Sequence, residues 1–99
     1  MTDAVFSLLM VVTAYACSPA EGQGYCGLTA SGKQVQVGMA ACPRWLAFGT
    51  RVEIEGLGTY VCEDRYSDTL SDRFDVHVTS VREAFALTGV YRYRLLPES

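Results

Sequence analysis

The sequence is poor in charge of either sign. Lysine and arginine number 8, aspartate and glutamate 11, together 19% of the 99 residues. A formal net charge of −3 leaves no basic excess to attract a polyanion, which argues against a nucleic-acid partner. There is one histidine and no C-x-x-C pair, so a structural zinc site lacks its ligand pattern and no metal or cofactor is expected. The apolar opening "AVFSLLMVVTAYAC" follows Met1–Asp3, which carry no basic side chain, so it lacks the positive start of a signal peptide. That run is also too short to span a bilayer. No repeat, low-complexity tract or linker divides the chain.

What remains is mostly apolar. The hydrophobic fraction is 49%, enough for one compact core. The division expected is an N-terminal extension over residues 1–9 and one domain over 10–97. Four cysteines, at 17, 26, 42 and 62, point to two disulfides and an oxidising compartment. Four cysteines allow three pairings, and spacing does not choose among them.

β-branched and aromatic residues dominate, and glycine punctuates. Strands are expected near Met10–Ala16, Gln34–Val37, Met39–Cys42, Arg51–Glu55, Thr59–Glu63, Phe74–Val78 and Tyr91–Leu96. One helix is legible in "TSVREAFALTG". Ser80 is its N-cap, Glu83 completes a capping box, and Gly89 stands just past its end. Val81, Ala84, Phe85 and Thr88 would form its buried stripe. Many short strands with one helix indicate a mainly β fold, a small closed barrel.

The stretch "CEDRYSDTLSDRFDVHV", residues 62–78, carries Glu63, Asp64, Asp68, Asp72, Asp75 and the single histidine, His77. Alternation puts Phe74, Val76 and Val78 on one face, Asp75 and His77 on the other. By the same rule Tyr60, Cys62 and Asp64 share a face. If the two strands are neighbours, Asp64 and Asp75 converge, and of two adjacent carboxylates one is held protonated. That arrangement suits glycosidic-bond cleavage. The competing readings are strand-end acids facing water, turn aspartates at 68 and 72 that bond their own backbone, and a calcium loop. "DRYSDTLSD" lacks the mid-loop glycine and closing glutamate of an EF-hand.

Several segments in order resemble the three-aspartate domain, a six-stranded double-psi β-barrel related to membrane-bound lytic transglycosylase A and to stationary-phase and resuscitation-type muralytic proteins. They are "VTAY", "GLTASGK", "CPRWLAFGT", "GLGTYVCED", "RFDVHV" and "REAFALTG", running from about Val11 to Leu95. The resemblance implies non-hydrolytic cleavage of peptidoglycan between N-acetylmuramic acid and N-acetylglucosamine, with a 1,6-anhydro product. It implies Asp75 as the acid/base, Asp64 as its partner, and substrate contacts at Glu21, Thr29, Arg65, Tyr66 and His77, although packing is favoured equally for His77. The first aspartate of the motif is replaced by Cys42. Beside that substitution, the resemblance implies a Cys42–Cys62 disulfide next to the acids and a Cys17–Cys26 disulfide clipping the first loop. Barwin-like and expansin-like relatives of this barrel are similar in their disulfides. The glycines that relatives carry after the second aspartate are here Arg65, Tyr66 and Ser67.

The expected partners are peptidoglycan glycan strands, with virion or cell-envelope proteins as further candidates. The expected location is extracytoplasmic: periplasm, cell surface or phage particle. The alternative function is a wall-polysaccharide binder or virion structural protein that kept the barrel without turnover.

Overall fold

The computed structural model describes residues 8–18, 23–24, 26–66 and 72–97. The strands are β1 (Leu8–Ser18), β2 (Gln23–Gly24), β3 (Met39–Ala41), β4 (Arg51–Ile54), β5 (Gly58–Asp64), β6 (Arg73–Val78) and β7 (Gly89–Leu95). The helix α1 spans Val81–Leu87.

Six of these strands close a mixed barrel in the order β1-β6-β3-β5-β4-β7, with β7 pairing back onto β1. Closure removes the exposed edges that an open sheet would leave. β1–β6 and β3–β5 are parallel pairs; the other neighbours run antiparallel. β2 is a two-residue addition to the end of β1. Alternation fills the interior. Val12, Ala16, Ala40, Val52, Ile54, Cys62, Phe74, Val76 and Tyr93 are buried there together. Phe74 meets Tyr93 edge-on, ring centroids 4.9 Å apart, the geometry that aromatic quadrupoles favour.

Cys17 is bonded to Cys26 and Cys42 to Cys62. The first ties the end of β1 to the segment after β2. The second joins the residue after β3 to the middle of β5, inside the core.

Three local expectations are corrected. Gln34–Val37 is not a strand. A single bridge, Leu28 to Gln34, marks a tight loop in which Thr29 donates to Lys33 O and Val35 to Gly27 O. Gly32 sits in that loop at φ 91°, a conformation that favours glycine. Phe85 is not buried; it is 79% exposed, and the helix packs through Val81, Ala84 and Leu87. The stripe advances in steps of three over two turns, so a residue at the i+4 position falls outside it. Gly89 is not a left-handed cap, since Thr88 ends the helix with extended backbone (φ −60°, ψ 130°) and Gly89 already begins β7. At the helix start, Ser80 Oγ accepts from Glu83 N, while Glu83 reaches back to the backbone and hydroxyl of Thr79.

Candidate functional site

The outer face of the barrel carries one row of residues in register. Thr13 on β1 is opposite Asp75 on β6, Asp75 is opposite Ala41 on β3, and Ala41 is opposite Asp64 on β5. The two acids therefore flank β3, their Cα atoms about 10 Å apart at the usual inter-strand spacing. The residue between them on β3 is Ala41, which contributes only a methyl group. The result is a cleft of about 210 Å³ lined by Tyr15, Ala41, Asp64, Arg65, Tyr66 and Asp75.

A β-bulge makes this row possible. Ala40 pairs with Cys62, but Ala41 pairs with Asp64, so Glu63 is skipped. Strict alternation would place Asp64 with Cys62, on the core side. The extra residue flips the parity, so the expectation that Cys62 and Asp64 share a face is corrected. Cys62 is in the core and Asp64 faces out beside Asp75. The skipped Glu63 is buried, with its carboxylate 3.0 Å from Lys33 Nζ. Burial alone would raise its pKa, but hydrogen bonds from Ser31 and Lys33, with the Lys33 charge, outweigh it and hold the carboxyl low.

Donors from distant parts of the chain orient both acids. Asp64 Oδ1 accepts from Ala30 N at 2.9 Å and Arg65 N at 2.8 Å, and its Oδ2 accepts from the Tyr15 hydroxyl at 3.2 Å. Asp75 is half-buried, and its Oδ1 accepts from the Thr13 hydroxyl at 2.8 Å. Thr13 and Tyr15 stand two apart on β1, so one strand face supplies a hydroxyl to each acid. The loop 27–35 lies across the row: Ala30 reaches Asp64, and Ser31 N donates to Glu63 O.

The other predicted residues divide by environment. Thr29 is buried, and its hydroxyl is taken up inside the loop by Ser31 Oγ and Lys33 N. Arg65 lines the cleft, but its guanidinium bonds the carbonyls of Leu46, Asp64 and Cys42 and stacks on Phe48, 4.2 Å from the ring centre. Tyr66 also lines the cleft, with Arg73 stacked on its ring and its hydroxyl accepting from Arg73 N. His77 follows Asp75 on the same face but is buried beside Tyr15, ring centroids 5.1 Å apart, and is not part of the cleft lining. Burial lowers its pKa, partly offset by a hydrogen bond with the Tyr15 backbone, so the ring is neutral at pH 7. Its Nδ1 has no hydrogen-bond partner among the described residues. Asp72 accepts from Trp45 Nε1. Glu21 and Asp68 lie outside the described residues.

Thr13 and Tyr15 were not singled out from the sequence, although alternation along "VTAY" puts them on one face. Ala30 contributes a backbone N–H, which has no side-chain signature. Among the described residues no group of three or more His, Cys, Asp or Glu could hold a metal ion. Among those residues, too, no helix is long and apolar enough to cross a membrane.

Compared with known proteins, the sequence matches no family model, and no curated protein or solved structure matches it.

Proposed function

We propose that this chain cleaves the glycan strands of peptidoglycan as a lytic transglycosylase, with Asp75 as the acid/base and Asp64 as its fixed anionic neighbour. The observation that carries the reading is the convergence of Asp64 and Asp75 on one open cleft, separated by Ala41. Both oxygens of Asp64 accept hydrogen bonds, which suits it to the role of a fixed neighbour. In the proposed reaction Asp75 gives its proton to the glycosidic oxygen and the bond from that oxygen to C1 breaks. The C6 hydroxyl oxygen of the same N-acetylmuramic acid bonds to C1, and its proton returns to Asp75. No water is consumed.

The motif order that resembles the three-aspartate domain supports this, as do the two parallel strand pairs that a double-psi arrangement requires. In place of the missing first aspartate, Cys42 offers a covalent tie to Cys62 and a backbone N–H to Asp64 O at 3.1 Å. The two disulfides are compatible with an extracytoplasmic location, whether periplasm, cell surface or phage particle.

The test is incubation of the protein and Asp75→Asn with purified peptidoglycan, read by mass spectrometry. Wild type yields 1,6-anhydro-muropeptides and Asp75→Asn does not. A second reading, a wall-polysaccharide binder without turnover, is favoured by the exposed Trp45 and Phe48 and by the commitment of Arg65 to backbone carbonyls. It predicts retention on the same peptidoglycan without anhydro products.

A further inference from the structure

We infer that the groove walled by Trp45, Phe48, Gly49, Thr50, Leu96 and Pro97 is a distal subsite that stacks a pyranose ring of the glycan strand, away from the scissile bond. This rests on the polysaccharide reading above and extends it to a surface whose lining includes none of the predicted site residues.

Size gives the first argument. The acid cleft, at about 210 Å³, is smaller than the ~300–1,000 Å³ usual for ligand sites, so it cannot by itself hold a polymeric substrate. The groove, at about 530 Å³, falls within that range.

Continuity gives the second. Arg65 is the wall between the two. It lines the acid cleft, stacks on Phe48, and donates to Leu46 O at 2.7 Å; Phe48 and Leu46 both line the groove. A strand leaving the cleft past Arg65 therefore runs directly onto Phe48 and Trp45.

The groove's aromatic rings are exposed and ordered at once. Trp45 is 56% exposed and Phe48 43% exposed, yet both are held in place. The indole N–H is bound to Asp72 at 2.9 Å, and the Phe48 ring is held under the Arg65 guanidinium. Aromatic faces that are exposed but already ordered lose little freedom on binding. Flat rings of this kind match the C–H faces of sugars.

Charge selects the occupant. Among the described residues Arg51 is the single charged residue of the lining, and its guanidinium is bonded to Pro97 O at 2.8 Å. A groove without a displayed cation suits the uncharged sugar backbone better than carboxylate-bearing peptide stems.

The chain contains one tryptophan, so its fluorescence reports on this groove alone. The probes are uncharged N-acetylglucosamine oligomers and, beside them, glycan strands freed of peptide stems by amidase, which keep a lactyl carboxylate on each N-acetylmuramic acid; both are titrated into the full chain carrying Asp75→Asn to block turnover. We expect a saturable change in Trp45 emission. In co-sedimentation, Trp45→Ala should weaken binding about tenfold or more, the scale of a lost central aromatic anchor, while Trp45→Phe retains most of it. Circular dichroism checks each variant, and the exposed position of Trp45 favours intact folding. If strands co-sediment but Trp45 emission is unchanged and Trp45→Ala binds as tightly, the subsite is refuted while the glycan reading stands. If the unsubstituted chain neither retains nor cuts the strands, the glycan reading fails and the subsite with it.

Discussion

Removing the Cys42–Cys62 disulfide should cost about 3 kcal/mol and loosen the acid row at the same time. The chain-entropy relation gives about 3 kcal/mol for its sequence separation of 20, and about 2.5 kcal/mol for the separation of 9 between Cys17 and Cys26. A domain of this size has a total stability of about 5–15 kcal/mol. Loss of both ties therefore takes the fold close to its limit. The pair Cys42→Ala and Cys62→Ala acts on the site because Cys42 directly follows Ala41 and bonds both Asp64 O and Arg65. Urea unfolding followed by circular dichroism reads the stability. With a slope of about 1–3 kcal/mol per molar, the midpoint should fall by about 1–3 M. The two disulfides should also open in order. Cys42 and Cys62 are fully buried, whereas Cys17 and Cys26 are partly exposed, so mild reductant should release two thiols well before the other two. An unchanged midpoint in the double alanine variant, or simultaneous release of all four thiols, would show that the buried disulfide does not brace the barrel.

Two further outcomes follow from the site. Tyr15→Phe removes the hydroxyl donor to Asp64 and should cost about 1.5 kcal/mol, the low end for a hydrogen bond to a charged group, at a half-buried position. A double-mutant cycle with Asp64→Ala should return a coupling of similar size, and strict additivity would sink the assignment. His77 makes stability depend on pH. Burial holds its folded pKa below the ordinary 6.5, so the unfolded chain binds the proton more readily. Its contribution is full above about pH 6.5 and is lost as pH falls from there toward the folded value, at no more than about 1.4 kcal/mol per unit. His77→Gln should flatten the stability profile between pH 7 and 5; an unaltered slope in that variant would assign the dependence elsewhere.

Several features were legible in the residues because they depend on neighbours in the chain. The alternation of "RFDVHV" separates Phe74, Val76 and Val78 from Asp75 and His77, and the structure keeps that division. The capping signal of Ser80 and Glu83 placed the helix start for the same reason: its groups lie within one turn. Where a residue's environment is set by a partner, local rules failed. Phe85 has the spacing of a core residue and the exposure of a surface one. Gln34–Val37 has strand chemistry but, among the described residues, only one bridging partner, Leu28.

Composition and alternation determined a mainly β barrel with one short helix, and they put Asp75 on its outer face. That Asp64 joins it there is settled by strand register. That outcome depends on one skipped residue, Glu63, in the register between β3 and β5, and on Lys33 and Ser31 being present to hold the displaced carboxylate. The same holds for the donors to the acids, Thr13 and Tyr15, 62 and 49 positions away from their partners. Period-2 patterning records which way a side chain points along its own strand. It carries no record of which strand lies alongside or where the register shifts, because those are set by closing the barrel around a common core.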